Sequence, residues 1–352
     1  MAGFKKAVVK TALETLYFSG AHVVLRPWLG GVGAILMLHH VRPPRADEFQ
    51  PNRLLEIAPA YLERVLERLR RTRVDIISLD EARRRLTEGD FGRRFVCLTF
   101  DDGYRDNLNF AFPILKKYDA PFTLYIPTSF PDRFGDLWWL TLERVIARNS
   151  RVAIAMDGKE RGYDCETAEE KYALFDHIYW WLRSLDHEDD MRRAVRDLGA
   201  RYGIDAGEFC AELCMGWDEL ASLASDPLTT IGAHTVNHVM LKKMSDEAAR
   251  TEMRMSAATI EAALGTKPKH FAYPIGDRTS AGARDFAIAE ELGFATAVTT
   301  RPGVLFPEHR DHLMALPRLS LNGEYQRLRY TMVLMSGAAT GLRNRLRRVD
   351  AA

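Results

Sequence analysis

The chain has 352 residues and a mass of 40.0 kDa, and its 49 lysine and arginine residues against 48 aspartate and glutamate residues give a formal net charge of +1. This near balance argues against broad electrostatic binding of nucleic acid, for which a strongly basic face would be expected. With 47% hydrophobic and 28% charged residues, the composition is that of a packed globular protein rather than a disordered chain. The length allows one large α/β barrel or about two ordinary domains.

The first 33 residues are predicted to form an N-terminal helical segment. One side of the predicted helix is apolar and the other begins with basic residues: Phe4, Val8, Leu13, Leu16 and Tyr17 on the first, and Lys5, Lys6 and Lys10 on the second. Such a stripe either packs on its own domain or lies in a membrane interface, so a peripheral membrane contact stays open. The basic tail at residues 326–352 would add to that contact only if it met the helix on one face.

Targeting signals and cysteine usage indicate the compartment. The N-terminus has no apolar run of the length that a signal peptide requires, and no segment approaches the roughly 20 apolar residues that span a bilayer. The four cysteines, Cys97, Cys165, Cys210 and Cys214, are too scattered for a disulfide framework. We therefore predict a cytoplasmic protein, with any membrane contact limited to the inner membrane surface.

Short apolar runs alternate with helical patterns through most of the chain, which is typical of parallel βα units. The predicted strands are residues 34–38, 75–79, 95–100, 122–126, 228–232, 270–273 and 295–299, with helices such as 61–70, 107–118 and 245–264 between them. About seven strands, each followed by a helix or loop, favour a closed or nearly closed α/β barrel over an open sheet. The barrel would comprise residues 34–130 and 226–325. The segment 131–225 breaks the pattern and is predicted to be a helical insertion, with a long helix at 169–198.

Two carboxylates follow the predicted strand at 95–100. Asp101 and Asp102 leave its end, and Gly103 permits a sharp turn after them. In a barrel, active sites lie at this end of the strands. Adjacent carboxylates repel each other, and holding both near an apolar strand end is costly unless a cation joins them. A helix cap followed by a turn residue would also explain the pattern.

Two histidines follow another predicted strand, at 228–232. His234 and His238 are four residues apart, so on a helical turn they lie on one face and both imidazoles can reach one metal ion. Such a pair also arises by chance and is weak evidence alone. Together with Asp102 it makes a set of two histidines and one carboxylate that leaves positions open for water and substrate. Open positions indicate catalysis.

These motifs resemble those of the polysaccharide deacetylases, or carbohydrate esterase family 4, whose catalytic unit the nodulation chitooligosaccharide deacetylases share. Thr-Phe-Asp-Asp-Gly at 99–103 matches the first motif of the family, and His-Thr-x-x-His at 234–238 matches the second, in the same order. Phe-Ala-Tyr-Pro-Ile-Gly at 271–276 is similar to its Tyr-Pro-x-Gly loop, and the segment 293–300 is similar to a late strand. The resemblance covers about residues 34–325, apart from the insertion.

The resemblance implies hydrolysis of an N-acetyl group from an amino-sugar oligosaccharide or polysaccharide, on a distorted (β/α)7 barrel, with a divalent metal. By position, Asp102, His234 and His238 would bind the metal, and Asp101 would be the general base. Zn²⁺ is the first choice of ion, and Co²⁺, Ni²⁺ or Mn²⁺ would also suit this ligand set.

Contacts with the substrate are predicted from the same motifs. The backbone N–H of Ile275 would hold the oxyanion of the tetrahedral intermediate, and Tyr273 would line the substrate site in the same loop. Tyr104, directly after the aspartates, is the candidate for the sugar groove. Trp138 and Trp139 could stack on sugar rings, but paired tryptophans at helical spacing are more often core, which is the interpretation that we favour.

One departure from the family concerns the partner of the base. Ala272 stands where many members have an arginine that pairs with the catalytic aspartate. We predict that Arg318 takes this place, because residues 316–320 have the pattern of the last strand and would deliver a cation to the same end of the barrel. The alternative is an arginine that faces solvent at a strand edge.

A second departure concerns the general acid, since the late Leu-x-His motif that supplies it is missing, as is the Asp-Trp motif of some members. His39 follows the first strand in a segment similar to the Met-Tyr-His of relatives that lack the late motif, and it would protonate the leaving amine. His40 would point away, because side chains alternate along a strand. His312 is the second candidate, and a His39 satisfied by backbone hydrogen bonds is the alternative without function.

The predicted function is a metal-dependent N-deacetylase of a glycan of the N-acetylglucosamine type, with no nucleic acid partner. Two alternatives stay open. A deformylase or deacetylase of a lipid-linked amino sugar would use the same residues and would explain the amphipathic N-terminal helix. A carbohydrate-binding protein on an inactive scaffold would keep the barrel and lose turnover, although the presence of both aspartates and both histidines counts against it.

Overall fold

The computed structural model describes residues 2–344 and 346–351, and for residues 2–5 it describes the backbone alone. The side chains of Phe4 and Lys5, which were predicted to lie on opposite sides of the N-terminal helix, are outside the described part. The same holds for Arg345 and Ala352 of the basic tail.

Seven parallel strands close into a barrel. The strands of the protein are β1 (Gly33–Leu38), β2 (His40–Val41), β3 (Glu56–Ile57), β4 (Asp75–Ile76), β5 (Phe95–Phe100), β6 (Phe122–Ile126), β7 (Arg151–Met156), β8 (Lys159–Asp164), β9 (Thr229–Ala233), β10 (His270–Ala272), β11 (Thr296–Pro302) and β12 (Leu316–Ser320). The order β1-β12-β11-β10-β9-β6-β5 returns to β1, and the short β4 pairs with the first residues of β5. The pairing of β11 with β12 is irregular between Val298 and Pro302. The predicted distorted (β/α)7 barrel is confirmed.

Helices surround the barrel and build most of the insertion. They are α1 (Ala2–Phe18), α2 (Ala21–Leu29), α3 (Pro59–Arg71), α4 (Leu79–Glu88), α5 (Phe112–Lys117), α6 (Trp138–Arg148), α7 (Ala168–Ser184), α8 (Glu188–Arg201), α9 (Ala206–Leu213), α10 (Trp217–Ala224), α11 (Asp246–Leu264), α12 (Ala283–Glu291), α13 (Leu328–Met335) and α14 (Ala338–Arg343). A π-helical turn at Asn107–Ala111 leads into α5.

Burial and capping explain these elements. Every residue of β1, β5 and β6 is buried, as expected of continuous apolar runs in a parallel barrel. α11 begins after Ser245, whose side chain caps it, and ends at Gly265 with a φ of 72°. The predicted strand at 75–79 is shorter than expected, because the Ser78 hydroxyl accepts a hydrogen bond from the Glu81 amide and starts α4. Since all strands of the ring run in parallel, their carboxyl ends meet at one end of the barrel.

The insertion at residues 131–225 contains a β-hairpin in addition to helices. The predicted long helix at 169–198 is two helices, α7 and α8, because the backbone is extended at Leu185 between them. The hairpin of β7 and β8 was not predicted. It turns at Asp157 and Gly158, whose φ values of 52° and 74° are those that a tight hairpin turn requires.

The insertion has a hydrophobic core of its own, which reaches the carboxyl end of the barrel. The core includes Trp138, Trp139, Leu142, Ile178 and Met191 from the insertion and Phe130, Met240 and Tyr104 from barrel loops. Trp138 is 1% exposed and Trp139 6%. The core interpretation of the two tryptophans is therefore confirmed.

The N-terminal helix α1 packs on α13. Leu13 is buried with Tyr330 and Val333, and Glu14 accepts a hydrogen bond of 2.6 Å from Arg329. Val8, on the same predicted stripe, is half exposed, so only part of the stripe packs on the domain. Among the described residues, no helix combines the length and the apolar composition that a bilayer-spanning segment needs.

Candidate active site

Asp101 and Asp102 lie at the carboxyl end of the barrel, directly after β5, and both are buried. The chain turns sharply there, with a φ of 72° at Asp102 and 63° at Gly103, a region that residues other than glycine rarely adopt. A Cβ atom on Gly103 would lie 2.8 Å from Ile126 Cδ1, so a side chain there would press on the end of β6. The turn sends the two neighbouring carboxyl groups toward different partners.

Asp102 meets the two histidines of the second motif. The Nε2 atoms of His234 and His238 lie 3.7 and 3.4 Å from Asp102 Oδ1, and ligand atoms of all three residues lie within 4.8 Å of one another. His234 Nδ1 donates a hydrogen bond of 2.6 Å to the carbonyl oxygen of Ala272, so its Nε2 carries the free lone pair. Side chains more than a hundred positions apart in the sequence thus come together at one point.

The chemistry of this set fits a divalent metal ion. Asp102 Oδ1 is buried and has no hydrogen-bond partner among the described residues. Burial, and then the charge of Asp101, raise the pKa of Asp102 well above its ordinary value, and the more distant charge of Arg318 only partly opposes that shift. Burial lowers the pKa of both His234 and His238, so both imidazoles are neutral and can act as ligands. A cation between the three side chains would remove the cost of ionising Asp102.

Strained backbone is concentrated around this set. Positive φ values occur at Asp102, Thr235, His238 and Ile275, which together line the carboxyl end of the barrel. Such outliers cost free energy and persist where the surrounding structure holds them, which is typical of functional sites.

Aromatic rings from the insertion and from a barrel loop pack beside His238. The ring centroid of Trp139 is 4.9 Å from that of His238, and the centroid of Phe130 is 6.0 Å away. Neither aromatic residue was predicted to lie beside the metal set. The Trp138-Trp139 pair indicated a buried aromatic cluster, but nothing in the sequence indicated that His238 would lie beside it.

Arg318 comes from β12 and pairs with Asp101. Its Nη1 and Nη2 atoms donate to the two carboxylate oxygens at 2.7 and 2.8 Å, and its Nε donates to the carbonyl of Thr299 at 2.9 Å. Both charged side chains are buried. Burial alone would raise the pKa of Asp101, but the charge and hydrogen bonds of Arg318 outweigh it and lower that pKa to about 2. Asp101 is therefore ionised at neutral pH.

His39 lies beside Asp101. Its Nε2 is 3.8 Å from Asp101 Oδ2, and the side chain keeps 17% of its surface exposed. Burial lowers the pKa of His39 to about 4, although the charge of Asp101 opposes that shift. His40 points away from the site, as expected from strand alternation: its Nδ1 lies 2.6 Å from Asp106 Oδ2 and its ring stacks on Tyr104.

The structure does not support His312, the second candidate for the general acid. It is exposed and precedes β12, whereas the aspartates and the two metal-set histidines follow the carboxyl ends of their strands. In a parallel barrel these positions are at opposite ends. His312 is close to Arg318 in sequence, but it precedes β12 and so lies toward the opposite end of that strand.

Two predicted substrate contacts are also wrong. Tyr104 has no exposed surface, because it lies under the site between His40 and the core of the insertion. Tyr273 is equally buried, and its hydroxyl donates to the carbonyl of Met314 at 2.9 Å. Neither ring can stack on a sugar. Both residues instead support the turn or loop to which they belong.

Ile275, the third residue predicted to contact the substrate, differs from the two tyrosines because its predicted contact is through the backbone amide. Its φ is 61°, and its carbonyl accepts a hydrogen bond of 2.6 Å from the Thr300 hydroxyl. Among the described residues, the Ile275 amide donates no hydrogen bond. An unpaired amide held in a strained turn suits an acceptor supplied by a ligand.

Comparisons with known proteins agree with the motifs. A family model described as polysaccharide deacetylase matches residues 88–156 and 172–297, which is more than half of the chain. No curated protein matches the sequence. Similar solved structures include the deacetylase PplD of Streptococcus pyogenes in complex with acetate (20% identity, TM-score 0.55, 82% of this chain and 92% of that chain), the polysaccharide deacetylase BC0361 of Bacillus cereus (15%, 0.54, 86% and 68%) and IcaB of Ammonifex degensii (17%, 0.54, 87% and 96%). At these identities the likeness shows the fold.

Proposed function

The chain belongs to the polysaccharide deacetylase family, and from this membership we propose that it is a metal-dependent hydrolase that removes N-acetyl groups from a glycan of the N-acetylglucosamine type. One observation supports the proposal most directly. A potential metal set, Asp102 with His234 and His238, lies next to an ionised carboxylate, Asp101, at the carboxyl end of the barrel. The acetate in the complex of PplD is consistent with this reaction, since acetate is the acid product of N-deacetylation.

Asp102, His234 and His238 would hold the ion, for which Zn²⁺ is the first choice because it accepts imidazole and carboxylate ligands together. A bound divalent ion would polarise the acetyl carbonyl and lower the pKa of water. That chemistry matters here because Asp101, with a pKa of about 2, is a weak base. Asp101 can take a proton efficiently only from water whose own pKa is depressed.

His39 would carry the proton to the leaving amine. Its imidazole is neutral at neutral pH, because its pKa is about 4, so it cannot begin the reaction as an acid. A proton that Asp101 takes from water would therefore have to reach His39 before the amine leaves. The two groups are 3.8 Å apart, so one water or a small closure would connect them. The amide N–H of Ile275 would donate to the oxyanion.

The experiment that tests this function is amine release from N-acetylglucosamine oligomers of several lengths. We expect release that stops when a chelator has removed the metal and returns with Zn²⁺, and we expect Asp102→Asn to lose the bound ion in metal analysis. Release that persists in protein shown to be metal-free would contradict the metal site. Glycan binding without release would favour the inactive scaffold, and release only from a lipid-linked amino sugar would favour the lipid-linked substrate.

His39→Ala is expected to lower kcat on N-acetylglucosamine oligomers by about 10²-fold, a typical loss for one acid–base group. Hydrolysis of an aryl acetate ester should fall much less, because a phenolate leaves without protonation. Both rates can be followed on the same preparation, with His312→Ala, an exposed histidine at the other end of the barrel, as the control. An equal loss on both substrates would contradict the role in amine protonation.

A further inference from the structure

A surface at the amino end of the barrel exposes large apolar side chains. α2 contains no fully buried residue, and Val23, Val24 and Trp28 are 62%, 64% and 64% exposed. Phe18, at the end of α1, is 74% exposed. We call Phe18, Val23, Val24 and Trp28, with the arginines of the two grooves beside them, the α2 face. Exposed apolar side chains gathered in this way mark an interaction surface.

The two grooves that flank α2 are strongly basic. One of about 710 Å³ contains Val23 together with Arg26, Arg68, Arg94 and Arg329. The other contains Trp28 together with Arg347 and Arg348. Among the described residues, neither groove is lined by an aspartate or a glutamate. The exposed apolar side chains therefore lie beside grooves that are lined by basic residues and by no acidic ones.

Most of these arginines have no acidic partner. Arg329 and Arg348 pair with Glu14 and Glu308, but no carboxylate of the described residues lies within 4.0 Å of the other four, Arg26, Arg68, Arg94 and Arg347. Arg94 is mostly enclosed and donates to the carbonyl oxygens of Gly30 and Met335. Its guanidinium is held in place without a counter-charge, which leaves room for an anion from outside.

We propose that the α2 face docks on a bilayer that contains anionic phospholipid, with the four apolar side chains at the boundary of headgroups and acyl chains and the arginines at lipid phosphates. An interfacial helix with apolar side chains and adjacent basic residues binds membranes in this way. A second copy of the chain fits less well, because a symmetric contact through this face would bring two sets of unpaired arginines together.

The position of the face sets the orientation of the docked protein. α2 ends at Leu29, shortly before β1 begins, and Arg94 directly precedes β5. The α2 face thus belongs to the amino end of the barrel, whereas Asp101 and Asp102 belong to the carboxyl end. A docked molecule would turn its metal set away from the bilayer, toward a glycan in the aqueous phase.

Flotation of the full chain with vesicles tests the proposal. We expect at least about tenfold stronger partitioning into vesicles of phosphatidylcholine and phosphatidylglycerol in equal parts than into phosphatidylcholine alone, and weakening by added salt. Trp28→Ala and the double variant Arg26→Ala/Arg347→Ala should each reduce binding about tenfold or more. Amine release by these variants should stay unchanged, which shows that they are folded.

Matched controls lie elsewhere on the surface. Trp180→Ala removes a tryptophan of similar exposure, 61%, on α7, and Arg254→Ala removes an exposed arginine on α11, and both should float like the unaltered protein. Equal binding to neutral and anionic vesicles, no binding to either, or no effect of Trp28→Ala would overturn the proposal. Dimerisation in light scattering that Trp28→Ala abolishes would assign the face to a second copy instead.

Discussion

Replacing Asp101 with Asn is expected to lower kcat for amine release by about 10²–10⁴-fold, the usual range for the loss of a general base. The amide has nearly the same shape as the carboxyl group but cannot accept the proton of water. Because both carboxylate oxygens of Asp101 pair with Arg318 and Asp101 is not one of the three residues of the metal set, the content of bound metal should not change. Turnover and metal content measured on the same sample therefore separate the loss of the base from the loss of the ion.

The matched control for this variant is Asp136→Asn. Asp136 is also buried and lies 3.5 Å from an arginine, Arg196, but it belongs to the insertion. It should keep its turnover. A value of kcat for Asp101→Asn within tenfold of the unaltered protein would remove Asp101 from the reaction.

Arg318→Met is expected to have the second largest effect, on stability and activity together. Removal of one partner from a buried ion pair leaves the other charge uncompensated, which typically costs about 3–5 kcal/mol. Asp101 would also lose the two hydrogen bonds that keep it ionised. We expect a lower free energy of unfolding in urea and a strong loss of kcat. Arg318→Lys, which restores the charge without the two-point contact, should recover part of both.

The pH dependence of these variants follows from the pKa of Asp101. In the folded protein that pKa is about 2, below the ordinary value of 3.8. The ionised pair therefore contributes stability above about pH 4, and the contribution is lost as the pH falls toward 2. Without Arg318, burial dominates and raises the pKa of Asp101.

The acid limb of kcat/KM for Arg318→Lys should consequently lie at higher pH than in the unaltered protein, and that for Arg318→Met higher still. The free energy of unfolding of Arg318→Met should not show the decrease between pH 4 and 2 that we expect for the unaltered protein. Unchanged acid limbs in both variants would show that Arg318 does not control the ionisation of Asp101. If Arg318→Met unfolds, the acid limb of kcat/KM can still be measured on Arg318→Lys.

Much of the fold could be predicted because local patterns and burial agree in it. The strands at 95–100 and 122–126 were placed residue for residue, since their continuous apolar runs are required on both faces of a barrel wall. The hairpin of the insertion was missed although Asp157-Gly158 is a strong turn signal. Strand β8 has mostly exposed polar residues, so it shows no apolar pattern to accompany that signal.

Part of the candidate site could also be predicted from the sequence, and part could not. Residues within the motifs could be named from sequence. Arg318 could be predicted because all strands of a parallel barrel run in the same direction, so a side chain of the last strand can reach the end at which Asp101 lies. The environment of those residues could not be anticipated. Tyr104 is next to the motif in sequence, but the left-handed turn at Asp102 and Gly103 carries it beneath the site. The contact of Trp139 with His238 depends on how the insertion folds back over the barrel, which no local pattern encodes.

The last strand of the barrel has a consequence for the timing of activity during synthesis. β12 closes the ring against β1 and brings the cation that Asp101 needs, and Asp101 leaves the ribosome 217 residues before Arg318 does. A nascent chain that has not yet reached β12 therefore has an open ring and an aspartate without its partner. We expect such incomplete chains, and premature termination products, to be inert toward glycans until translation has passed the final strand.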